Sequence, residues 1–97
     1  MLTLEGIDGE SIVLDGNWIE KLRIGNSRAR NPISSYKETQ VKDFTRRKKV
    51  FFGEKEELIQ ITVVCQNFMS LIVPAERRAD VEGFVAALDE AKAAAAE

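Results

Sequence analysis

Residues 68–88 read Phe68-Met69-Ser70-Leu71-Ile72-Val73-Pro74-Ala75-Glu76-Arg77-Arg78-Ala79-Asp80-Val81-Glu82-Gly83-Phe84-Val85-Ala86-Ala87-Leu88, and the periodicity changes once within them. Met69, Leu71 and Val73 alternate, the period of a strand with one buried face. Pro74 has no N–H for a sheet ladder and suits the first turn of a helix, so the strand ends there. Val81, Phe84, Val85 and Leu88 then fall at i, i+3, i+4 and i+7, one apolar stripe at helical period. A lone C-terminal helix after strands covers the open face or end of a curved antiparallel sheet. The helix is expected from about Ala75 to Ala93, with a start at an Asp80 N-cap as the alternative. Gly83 would let it approach the sheet closely, Lys92 falls on its exposed side, and the alanine-rich tail from Ala91 frays.

Working back toward the N-terminus, Leu58 to Val64 is the strongest strand, with Ile59, Ile61 and Val63 on one face and Gln66-Asn67 turning it into Phe68–Val73. Val50-Phe51-Phe52 with Gly53 reads as a short strand and turn, and Glu54 to Glu57 as a solvated acidic segment. Tyr36 to Thr45 forms a strand whose inward face is ambiguous, because Val41 and Phe44 differ in parity. Gly25 to Pro32 reads as a polar connection carrying Arg28 and Arg30. In Trp18 to Ile24, Leu22 and Ile24 are expected to face the core, with Glu20 interrupting the alternation through a bulge or an edge position. Asp15-Gly16 and Asp8-Gly9 supply turns between the preceding short runs, Ser11–Leu14 and Leu2–Glu5. Strands thus fill about residues 2–73, and the reading is one mainly β domain over 1–97.

Composition limits function more than it identifies it. At 97 residues the chain has little room for both a core and a deep catalytic pocket. It has no histidine, the commonest general base and metal ligand, and no Gly-rich phosphate loop, nucleophile elbow or zinc spacing. No enzyme activity, catalytic residue, metal or cofactor is expected. The net charge of −2 gives no field to hold nucleic acid, so no specific nucleic-acid partner is expected. Cys65 is the only cysteine, which rules out an internal disulfide, and it reads as a buried, inert thiol. Met1 to Glu5 has neither the basic nor the apolar region of a signal segment, so a cytoplasmic location is expected by default.

Two features bear on binding. Arg46, Arg47, Lys48 and Lys49 are four consecutive cations that could bind phosphate groups or an anionic membrane surface. The bland alternative is that they guard a sheet edge against stray pairing. Apolar residues on both parities in Val50–Phe52 and Leu58-Ile59 would leave one sheet face for a protein partner or for self-association. Trp18 reads as a core or rim residue rather than part of a ligand box.

Some segments also resemble a known family. Gly6-Ile7-Asp8-Gly9 and Leu14-Asp15-Gly16-Asn17-Trp18-Ile19 resemble the opening hairpin of small bacterial domains of the pleckstrin-homology-like (PH-like) superfamily. Asn31-Pro32-Ile33-Ser34-Ser35 is similar to their turn before the second sheet, although here the proline precedes the isoleucine. Phe84-Val85-Ala86-Ala87-Leu88 resembles their phenylalanine-bearing capping helix. The nearest group is a short-chain PH-like domain of unknown function from actinobacteria. The resemblance implies a PH-like antiparallel barrel or half-open roll of six to seven strands capped by one helix. It also implies an adaptor-like, noncatalytic role, and it carries no catalytic residue across.

Overall fold

The computed structural model describes residues 1–47 and 55–96; the Arg47 side chain, the expected strand at Val50–Phe52, and Lys48, Lys49, Gly53 and Glu54 lie outside the described residues. Among the described residues seven strands precede the helix: β1 (Leu2–Glu5), β2 (Glu10–Asp15), β3 (Trp18–Arg23), β4 (Asn26–Pro32), β5 (Glu38–Arg47), β6 (Lys55–Val64) and β7 (Phe68–Pro74). They form a four-stranded sheet in the order β1-β2-β3-β4 and a three-stranded sheet in the order β5-β6-β7, all neighbours antiparallel. A short 3₁₀ turn, Ile33–Ser35, joins the sheets, and a second, Ala75–Arg77, leads into α1 (Arg78–Ala95). Among the described residues no ladder closes the two sheets into a barrel.

One hydrophobic cluster draws on both sheets and the helix. Leu4, Ile12 and Ile19 come from the first sheet, Ile59, Ile61, Val63, Met69, Leu71 and Val73 from the second, and Val81, Phe84 and Leu88 from α1. Alternation along β6 and β7 therefore points inward as their sequences predict, and the helical stripe covers the same core. Where the sheets meet away from the 3₁₀ turn, the Ile7 N–H donates to the Ile72 carbonyl at 2.9 Å. Gly6 stands at that corner because a Cβ there would lie 2.6 Å from the Ile72 carbonyl oxygen and 2.5 Å from Leu71 Cδ1.

Several local expectations are corrected. The face of β3 is the opposite one: Ile19 is fully buried, while Trp18 and Ile24 are exposed. A register shift between Lys21 and Leu22 breaks the alternation, and Ile24 belongs to a turn rather than to the strand. The expected connection Gly25–Pro32 is instead mostly the edge strand β4, Asn26–Pro32, entered through a two-residue loop in which Ile24 (φ 49°) and Gly25 (φ 76°) both lie in the left-handed region. That is the backbone requirement of a type I′ hairpin turn. Asp8-Gly9 meets the same requirement, but the second hairpin turns on Gly16-Asn17, with positive φ at Gly16 alone.

The helix differs in detail too. Asp80 is not the N-cap: Arg77 occupies that position without a capping side chain, and Asp80 sits in the first turn, where its charge suits the helix dipole. α1 continues to Ala95, two residues past the expected end. Gly83 does not serve close packing, since a Cβ there would meet nothing within 4 Å. Lys92 is half-buried, its ammonium donating to the Ser34 carbonyl.

Candidate interaction surface

Sheet edges are the places where backbone donors and acceptors remain open, and here they are guarded unequally. β7 is covered where it passes the first sheet: Ile72 accepts from Ile7, and the Ser70 carbonyl accepts from Lys21, which also bridges to Glu10 at 3.3 Å. Beyond β1 lies an open groove of about 460 Å³ lined by residues such as Leu2, Leu4, Gly83 and Phe84, but Arg77 reaches across it to the Glu5 carbonyl. β4 terminates at Pro32, which has no N–H to offer. Among the described residues β5 is the longest edge, ten residues with β6 as its only sheet neighbour.

The side chains of β5 are exposed over most of its length. Thr39, Val41 and Asp43 stand opposite Val63, Ile61 and Ile59, so they share the face on which the core lies. Val41 is nevertheless 47% exposed, because the core ends at β6 on this side. Parity therefore failed as a guide to β5: its inward positions lie at the margin of the core. Glu38, Gln40, Lys42 and Phe44 occupy the outer face, with Gln40 Nε2 donating to Glu38 Oε1 at 3.1 Å.

β5 is tied to α1 near its start and at its middle. The Tyr36 hydroxyl accepts from Thr39 Oγ1 at 2.7 Å and donates to Asp89 Oδ1 at 3.3 Å. Burial raises the phenol's pKa above its usual value and Asp89 adds to the rise, against the opposing hydrogen bond from Thr39. Asp43 forms an ion pair with Arg78. Tyr36 was not legible as a core residue, since a lone tyrosine at a strand entrance carries no periodic signal; in the fold it is only 2% exposed.

The basic run lies at the far end of this strand. Arg46 Nε donates to Glu56 Oε2 at 3.0 Å, and Arg47 stands opposite Lys55 in the ladder. Glu56 and Glu57 are in β6 and not in a solvated turn. Leu58 and Ile59 are both buried, so that pair leaves no free apolar face; the large exposed apolar side chains include Val41, Trp18, Ile24 and Phe68. Trp18 is a rim residue, covered by the Arg30 guanidinium 4.1 Å from its ring centroid. Cys65 is buried, and burial pushes its thiol pKa up, with Ser35 and the Lys92 charge acting in the opposite direction.

Asn31 is a buried polar side chain that links the sheets, its amide donating to Met69 Sδ at 3.7 Å. Among the described residues no helix is long and apolar enough to cross a membrane. No family model, curated protein or solved structure matches the chain.

Proposed function

We propose that this chain is a noncatalytic protein-interaction module of the reducing cytoplasm, built as a PH-like half-open roll, and that it takes an extended strand on the free edge of β5. The observation that carries the reading is the length of this edge: among the described residues β5 runs ten residues with β6 as its one neighbour, against four in β1 and seven in β4, while β7 is met by Ile7 and Lys21 of the first sheet. Strand addition derives affinity from main-chain hydrogen bonds and selectivity from side chains on alternate faces. Val41 and the exposed charges of Glu38 and Lys42 supply such side chains. The four-plus-three strand division with a terminal helix supports the PH-like reading.

The competing proposal is weak binding of an anionic lipid or phosphate-bearing ligand through Arg46, Arg47, Lys48 and Lys49. Arg46 is already paired with Glu56, which weakens that reading relative to the edge. Co-sedimentation with phosphatidylglycerol vesicles at low salt tests it directly.

The edge reading is tested with two prolines. Successive strand residues direct their N–H groups to opposite edges. Of Gln40→Pro and Val41→Pro, one therefore removes a β5–β6 ladder donor and lowers the melting temperature. The other removes an outward donor and leaves the fold intact. Peptides selected from a displayed random library should bind the parent and lose affinity for the fold-preserving variant. If every selected peptide binds both equally, the edge is not the site.

A further inference from the structure

The segment Lys37-Glu38-Thr39-Gln40-Val41-Lys42-Asp43 has a charge order that complements itself when reversed. Read forward the signs are plus, minus, three uncharged residues, plus, minus. We infer that β5 pairs antiparallel with β5 of a second copy of this chain, on a two-fold axis passing through Gln40. This rests on the proposed strand addition and names its partner.

A two-fold axis perpendicular to the sheet keeps each residue on its own face, so only residues of like parity stand opposite one another. Centred on Gln40, the register places Lys37 opposite the copy's Asp43 and Glu38 opposite the copy's Lys42, and each pair occurs twice. Thr39 then faces Val41, on the face shared with the core, and Gln40 faces itself. Neighbouring registers do worse. Centring on Lys42 or Asp43 sets like charges directly against each other, while centring on Val41 or Thr39 forms no directly opposed ion pair. Opposite charges across a strand pair stabilise it and like charges destabilise it, so charge selects the Gln40-centred register.

The side chains concerned are accessible, with Gln40 bonded to Glu38 and Asp43 paired with Arg78 in the single chain. Lys37, Glu38, Gln40 and Lys42 are exposed, as is Asp43 even with Arg78 beside it. Pairing would extend two three-stranded sheets into one of six and cover Val41, which is half exposed in the single chain.

Sedimentation velocity on the full chain, from micromolar to millimolar concentration and at low and high salt, tests this. The parent should show a monomer–dimer equilibrium that weakens as salt rises. Lys42→Glu and Glu38→Lys should each weaken the dimer about tenfold or more, by turning two attractions into repulsions. The double variant Glu38→Lys/Lys42→Glu restores opposite signs and should return to within about threefold of the parent. A strictly monomeric parent overturns the inference, as does a dimer indifferent to both reversals. If the parent is monomeric yet binds peptides that the fold-preserving proline blocks, self-pairing fails and the edge reading stands. A dimer that survives that proline overturns both.

Discussion

Adding one methyl group at Gly6 tests whether the corner between the two sheets is as tight as the geometry requires. The new Cβ would stand 2.5 Å from Leu71 Cδ1, 2.8 Å from Leu71 Cγ and 2.6 Å from the Ile72 carbonyl oxygen. Leu71 is 1% exposed and set in the core, so its side chain has nowhere to swing, and the carbonyl is backbone. Relief must come from separating β1 and β2 from β7, which also stretches the 2.9 Å bond from Ile7 N–H to Ile72. Overpacking of this kind costs about 1–3 kcal/mol, and the weakened hydrogen bond about 1 more. A loss of about 2–4 kcal/mol is a large part of the roughly 5–10 kcal/mol expected for a chain of this size. The melting temperature of Gly6→Ala should fall by about 10–25 °C. Gly83→Ala is the matched control, because its Cβ enters open space on an exposed helical position. It should stabilise the chain by about 1 kcal/mol. Thermal melts followed by circular dichroism read both. A Gly6→Ala midpoint indistinguishable from the parent's would refute the tight corner.

Other outcomes follow from the same structure. Phe84→Ala, at a position 2% exposed, should lose about 3–5 kcal/mol in urea titrations, whereas Glu90→Ala on the exposed helix face should change little; equal midpoints would mean that α1 does not close the core. Ile24→Asn should gain about 1 kcal/mol, because a β-branched residue at φ 49° is strained and its side chain, 75% exposed, contributes little burial; a lower melting temperature would show that the side chain holds the turn. Tyr36 is the only tyrosine, so near-ultraviolet absorbance reports its ionisation without interference. Its phenol is raised above 10.0, as the Cys65 thiol is above 9.0, so unfolded chains ionise first. Stability from these groups is whole below about pH 9 and is lost as pH rises through the folded-state values. Identical tyrosine titrations in folded and urea-unfolded protein would contradict this.

The parts of the fold legible from sequence are those where one face is buried along an element's whole length. Ile59, Ile61 and Val63 in β6, Met69, Leu71 and Val73 in β7, and Val81, Phe84 and Leu88 in α1 are all buried, as their spacing predicts. In β3, by contrast, Trp18, Leu22 and Ile24 together outweigh Ile19 on any count of apolar parity. The bulge at Lys21/Leu22 and the turn at Ile24 make that count meaningless. β4 looked like a loop because an edge strand with one neighbour needs no apolar side chains, and Ser27, Arg28 and Arg30 are all exposed. The candidate surface was harder still. β5 could be read as a strand, but its edge position is a fact of pairing between distant segments, which no local pattern encodes.

Register also separates the two groups of charge on β5, which look alike in sequence. Antiparallel partners in this hairpin lie opposite in a fixed register: Arg46 faces Glu56, Thr45 faces Glu57 and Arg47 faces Lys55. Arg46 thus has an anion across the ladder and bridges to it, whereas Arg47 has a cation there. Of these cations Arg46 is therefore compensated within the strand pair. At the other end of the strand Glu38 stands opposite Val64 and Lys42 opposite Gln60, so β6 supplies no counter-charge to either. Charges held on a rigid edge without a partner across the ladder are the ones an added strand can meet. They discourage pairing with strands of the wrong sign and favour a strand of complementary order. A charged edge that guards against stray pairing and a docking edge thus describe one physical arrangement. The difference lies in whether the approaching strand carries the matching sequence of signs, and a second copy of Lys37–Asp43 does.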